Sequence, residues 1–179
     1  MDALVSTEWL ERELGASDLR VVDATKFMAG TDRDAREGML LGAMLAGQAF
    51  ANSPVGAVHA LAYPLGGHYH VPHGLSNALM LGPVLRFNAK AAAALYAELA
   101  DVLGVPGTGD AASRSEAFVE HMQKLMDESG APRRLRDVGV TDNSLAMLAS
   151  DAMKQTRLLI NNPVEVREED ALALYREAF

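Results

Sequence analysis

Four of the five histidines in this chain of 179 residues, His59, His68, His70 and His73, are crowded into one short stretch, and His121 stands apart. Neutral imidazole is the commonest protein ligand for a transition metal, and several imidazoles held by a short rigid segment can converge on one ion. The plainer alternative is that a histidine on an apolar helix face is simply a satisfied core residue. The two readings differ in what the surrounding elements must do with the rings.

Those elements read as helices. Val55 to Ala62 predicts a helix carrying His59, broken by Pro64 and Gly66-Gly67. Pro72 then precedes a run from His73 to Phe87 with helical apolar spacing, with Pro83 expected to kink or restart it. His73 therefore sits at a helix N-terminus, where the helix dipole disfavours imidazolium and leaves the ring free to act as a ligand. Upstream, a helix is expected from about Asp34 to Ala51, and its apolar stretch Met39 to Ala51, thirteen residues with one polar side chain, is too short to cross a bilayer. Downstream, helices are expected over Ala89 to Leu103, with Leu95, Leu99 and Val102 on one side, and from Ser113 or Ser115 to Gly130 through Phe118 and Met122. Two more follow, one capped by Thr141 and running through Met147 and Met153, one opened by Arg167-Glu168-Glu169-Asp170. At the start, Ser6 caps a short helix to Leu14, and Leu19 to Ala24 reads as a brief strand. The fold class is all-α: a helical bundle over residues 34–179 with a short N-terminal helix-strand extension.

Composition narrows the partners. With 16 basic and 24 acidic residues the formal charge is -8, which argues against nucleic acid or an anionic membrane as partner. No cysteine is present, so disulfides and thiolate metal sites are excluded. The acidic N-terminus lacks the basic and apolar regions of a signal peptide, and a cytoplasmic protein is expected.

The residues around the histidines resemble a known family. Ala57-Val58-His59-Ala60-Leu61-Ala62-Tyr63-Pro64-Leu65-Gly66-Gly67, followed by Val71-Pro72-His73-Gly74-Leu75-Ser76-Asn77-Ala78, is similar to the metal-binding signature of the iron-containing alcohol dehydrogenases. The resemblance runs from about Arg36 through Leu85-Arg86-Phe87-Asn88 and Tyr96-Ala97-Glu98-Leu99-Ala100 to Asn161-Asn162-Pro163 and Glu168-Glu169-Asp170-Ala171-Leu172. It implies that His59 and His73 are two of the metal ligands, for iron or zinc. Tyr63 falls at a position near the nicotinamide, where many members carry another histidine. His68 and His70 flank the same turn and are candidate further ligands. His59 and His73 are expected to approach each other, because the chain turns back between their helices.

The resemblance also implies what an intact member needs. Its other two ligands form an Asp-x-x-x-His pair upstream of the matched part, and here the first histidine is His59. Intact members bind NAD(P) through a nucleotide-binding domain with a glycine-rich phosphate loop. Neither Gly66-Gly67 nor the stretch from Gly104 to Gly109 has the strand, loop and helix context of such a fingerprint. Residues 1–35, with Leu4-Val5-Ser6-Thr7-Glu8-Trp9-Leu10 and Asp18-Leu19-Arg20-Val21-Val22-Asp23, resemble instead the opening of a rhodanese-type sulfurtransferase, although the persulfide chemistry of that family requires a cysteine. The expected organisation is a rhodanese-like fragment at 1–35 joined to a dehydrogenase-like helical domain at 36–179. The expected function is that of a truncated oxidoreductase-family metal domain with a weak or partial site, not an active dehydrogenase alone. The alternative is a non-catalytic helical protein that forms a homo-oligomer through the exposed apolar helix around Met39 to Phe50.

Overall fold

The computed structural model describes residues 32–179, and all regular structure in that range is helical. The expected N-terminal helix and strand, and most of the segment read as rhodanese-like, lie outside the described residues. Eight α-helices follow one another: α1 (Arg33–Asn52), α2 (Ala57–Tyr69), α3 (His73–Asn88), α4 (Ala93–Val102), α5 (Ala111–Glu128), α6 (Leu145–Ala152), α7 (Thr156–Leu159) and α8 (Glu168–Ala178). Short 3₁₀ turns at Leu135–Val138 and Asp142–Ser144 lead into α6.

The central packing unit is α2 and α3, an antiparallel pair covered by α6 and α8. Leu61 and Leu65 from α2, Met80 and Val84 from α3, and Leu148 and Tyr175 from the covering helices are buried together. Tyr175 is fully buried, and its hydroxyl donates a 2.6 Å hydrogen bond to the Leu61 carbonyl, so its one polar group is satisfied inside the core. A second, smaller core joins α4 to α5 through Ala100, Val105, Phe118 and Val119, with Tyr96 and Phe118 rings 5.2 Å apart. By contrast α1, capped by Asp32 accepting from the Ala35 amide at 2.9 Å, buries only Ala35 and leaves Leu40, Leu41, Met44 and Phe50 exposed.

Several boundaries differ from the sequence expectation for identifiable reasons. Helix α2 does not stop at Pro64 but continues through it and through Gly66-Gly67 to Tyr69. Pro64 removes one amide donor, yet it is buried among apolar neighbours, and packing on both sides holds the helix against that loss. Helix α4 starts at Ala93, because the Asn88 carbonyl draws the Ala91 and Ala92 amides into a turn. Its buried face carries Ala92 and Ala100 with half-buried Tyr96 between them, while Leu95 and Leu99 point outward; small Ala100 lets α4 approach α5 closely. Helix α5 begins at Ala111 rather than at a serine, since Asp110 is the cap, accepting from the Ser113 amide at 2.9 Å and its hydroxyl at 2.8 Å.

An amide pair ties distant segments to the start of α2. Asn88 and Asn162 exchange side-chain hydrogen bonds of 2.9 and 2.8 Å, and the Asn162 oxygen also reaches the Ala57 amide at 3.4 Å, supplying the cap that Gly56 has no side chain to provide. Asn161 adds a bond to the Val55 carbonyl at 3.1 Å. The end of α3, the entry to α2 and the Asn161-Asn162 turn are thereby locked in one register.

The reversal between α2 and α3 turns on His70, the one described non-glycine residue with positive φ, at 56°. Its amide donates to the Gly66 carbonyl at 3.1 Å and the following Val71 amide to the Leu65 carbonyl at 3.4 Å, closing the helix C-terminus with a left-handed residue. Ser76 ties down the other side, its hydroxyl bonding to the Val71 and Pro72 carbonyls. Replacing His70 with Gly is expected to raise stability by up to about 1 kcal/mol, since glycine adopts this conformation freely, whereas His70→Val should lower it by about 1–2 kcal/mol. Urea unfolding midpoints of the two variants check this, and a stabilising valine would contradict the assigned role of the turn.

Candidate metal centre

The turn at His70 brings the first two turns of α2 beside the first residue of α3. His59, half-buried on α2, and His73, exposed at the start of α3, lie with ring centroids 5.2 Å apart and planes inclined by 56°. Both rings direct Nε2 at the same group: the Asn77 side-chain nitrogen lies 3.4 Å from His59 Nε2 and 3.1 Å from His73 Nε2. An amide nitrogen only donates, so each imidazole presents an Nε2 lone pair to it and carries its own hydrogen on Nδ1. Two metal-competent lone pairs therefore converge on one spot. The Asn77 oxygen, meanwhile, is buried without a hydrogen-bond partner.

Burial, with the neighbouring His73 ring as a smaller cause, holds the His59 imidazole below its ordinary pKa. Both effects disfavour the charged ring, which keeps His59 in the form that can bind a cation. Tyr63, one turn along α2, completes an aromatic rim, its ring centroid 6.5 Å from that of His59 and 6.0 Å from that of His73. It is 43% exposed, so its hydroxyl is open to a bound molecule.

The remaining histidines are placed differently. His68 Nε2 meets the Asp151 carboxylate on α6, which Lys154 also holds, and these contacts with Lys154 first and His68 second keep the Asp151 carboxyl below the usual range. His70 serves as the helix cap. Among the described residues no ring contact or hydrogen bond joins His68 or His70 to the His59–His73 pair. Nor do those residues contain a group of three or more His, Cys, Asp or Glu side chains arranged to hold an ion.

The donor set thus fits a metal in part: two convergent imidazole nitrogens suit iron, and the rest of a coordination sphere must come from elsewhere. The residue that sequence reasoning passed over is Asn77. Its signal was available, since Asn77 stands four residues after His73 and so shares its helix face. What spacing could not reveal was that His59, from another helix, would meet the same amide.

Known proteins carry the same arrangement of helices. Residues 21–179 match the C-terminal part of the Fe-containing alcohol dehydrogenase family, a match that begins inside the segment read as rhodanese-like. The chain is 39% identical over 153 residues to long-chain-alcohol dehydrogenase 1 of Geobacillus thermodenitrificans, covering 84% of this chain and 38% of that one. It is 37% identical over 160 residues to lactaldehyde reductase of Escherichia coli, covering 89% of this chain and 42% of that one. A crystal structure of 1,3-propanediol oxidoreductase superposes with a TM-score of 0.83 at 32% identity, over 95% of this chain and 45% of that one. The chain spans about two-fifths of the length of the curated relatives it matches.

Proposed function

Because the chain belongs to the Fe-containing alcohol dehydrogenase family, we propose that α2 and α3 form the metal-holding half of an oxidoreductase site, with His59 and His73 as ligands to ferrous iron. The observation that carries this reading is the convergence of the two Nε2 atoms on one point. A bound divalent iron supplies Lewis-acid polarisation of an alcohol or carbonyl oxygen. The chain's own residues prepare the place for it. Burial disfavours the charged form of His59, and His73 is held in place by the first turn of α3. Tyr63 stands at the edge with its hydroxyl available to hydrogen-bond a substrate or the nicotinamide of NAD(P), the cofactor of intact members of the family.

Two imidazoles make an incomplete protein ligand set. The 179 residues by themselves are therefore proposed to bind metal weakly and to show no measurable NAD(P)-dependent alcohol oxidation. A cytoplasmic setting is proposed on the acidic, cysteine-free composition; among the described residues no helix is long and apolar enough to cross a membrane. A rhodanese-type origin for residues 1–35 rests on their residue pattern alone.

A second reading is carried by a separate observation. Helix α1 exposes Leu40 at 69% and Phe50 at 59%, with Met44 and Leu41 beside them, a continuous apolar surface of the kind that associates. In this reading the protein is a non-catalytic homo-oligomer joined through α1.

Anaerobic calorimetric titration with ferrous iron should give a dissociation constant in the micromolar range or weaker, at most roughly 8 kcal/mol of binding free energy, and the heat should vanish in His73→Ala. Nanomolar affinity would contradict the partial site, and full binding by His73→Ala would contradict the assignment of ligands. Light scattering of the same preparations addresses the second reading: a dimer that becomes monomeric in Leu40→Glu/Met44→Glu supports association through α1, and a monomeric wild type rules it out.

A further inference from the structure

His59 is the third residue of α2, so its aim depends on how that helix begins. The first amides of a helix have no acceptor within it. Ala57 is buried away from solvent, and Gly56 before it has no side chain to offer. The acceptor for the Ala57 amide comes instead from 105 residues away, the Asn162 Oδ1 at 3.4 Å. With that bond lost the first turn of α2 is free to unwind, and each residue released turns the helix surface by about 100°. His59 lies within that turn and His73 does not.

Asn162 is itself held at both polar atoms. Its Oδ1 also accepts from Asn88 Nδ2 at 2.9 Å, and its Nδ2 donates to Asn88 Oδ1 and to the Val164 carbonyl, both at 2.8 Å. An amide oxygen has two lone pairs and an amide nitrogen two hydrogens, so every hydrogen-bonding position of the side chain is filled. Asn88, 4% exposed, is the last residue of α3, and Asn161 donates to the Val55 carbonyl at 3.1 Å just ahead of α2. A fully satisfied network of this kind specifies one arrangement of the segments it joins. Helix α2 therefore starts where the end of α3 and the Asn161-Asn162 turn place it.

Resting on the reading of His59 and His73 as ligands, we infer that Asn162 is a positioning residue of the metal centre: by capping α2 while gripping Asn88, it fixes where His59 stands. Neither amide bonds to a histidine ring, and both rings bond to Asn77. The pair acts through the helix start alone. The start of α3 is tied separately, by the Ser76 hydroxyl at the Val71 and Pro72 carbonyls. Damage to the amide pair thus displaces one ring and spares the other, which a general loosening of the fold does not do.

Calorimetric zinc titration and nitrogen-15 spectra of the histidine rings, both on the full chain, test this. Asn162→Ala should weaken zinc binding about fivefold, the population shift that loss of one helix cap commonly brings. It should also move the His59 Nε2 resonance of the metal-free protein while leaving that of His73 in place. Asn162→Asp keeps an oxygen for the Ala57 amide but cannot donate to Asn88, so it should recover most of the affinity while melting below wild type. Val119→Ala, in the second core, loosens the fold without touching α2 and should leave zinc binding unchanged. Wild-type affinity with an unmoved His59 resonance in Asn162→Ala, equal movement of both rings, no recovery in Asn162→Asp, or an equal loss in Val119→Ala would overturn the inference and leave both histidines as ligands. Absence of zinc binding by wild type would instead defeat the reading of His59 and His73, and the positioning role with it.

Discussion

The left-handed residue at the end of α2 is the constraint on which the site depends. His70 turns the chain so that α3 runs back along α2, and the register of that reversal decides which residues of the two helices face one another. With it, His59 and His73 share a point in space; shifted by one residue, the first turn of α3 would carry His73 to another face, since each step rotates a helix by about 100°. The Ser76 hydroxyl bonds to Val71 and Pro72 and the Asn88–Asn162 pair secure the same register from opposite ends of α3. The core below, centred on Leu61, Leu65, Met80 and Tyr175, holds the two helices against each other. Packing thus positions both rings before any ligand arrives.

Much of this was legible in the sequence, and the parts that were not share a cause. Apolar spacing and capping residues were enough to place α1, α2, α3 and α8 and the all-α class. The signals at Pro64 and at Leu95 and Leu99 were misread because a local rule met a tertiary one. A proline within an exposed helix breaks it, but Pro64 lies in a buried helix whose neighbours sustain it. A leucine stripe ordinarily faces the core, but on α4 the close approach of α5 demanded Ala100 there instead. Cap choice was a nearer contest, which Asp110 won over the serines after it because its carboxylate accepts two bonds at once.

The site divides along the same line. His59 and His73 could be named from their motif, and their approach could be expected from the reversal of the chain. His68 and His70 had an equal claim by spacing, and the structure gives each another occupation, one hydrogen-bonded to Asp151 and one as a helix cap. Asn77 had no claim at all until two rings from two helices were found to address the same amide. The chain belongs to the Fe-containing alcohol dehydrogenase family and spans about two-fifths of the length of the curated relatives it matches.

His59 and His73 aim their Nε2 lone pairs at one point, and histidine nitrogen-15 spectra of the metal-free protein report that directly. Both rings should be Nδ1–H tautomers, and both Nε2 resonances should shift together on adding zinc as a diamagnetic probe. A hydrogen on Nε2 of either ring in the metal-free protein, or a zinc-dependent shift confined to one of them, would contradict it.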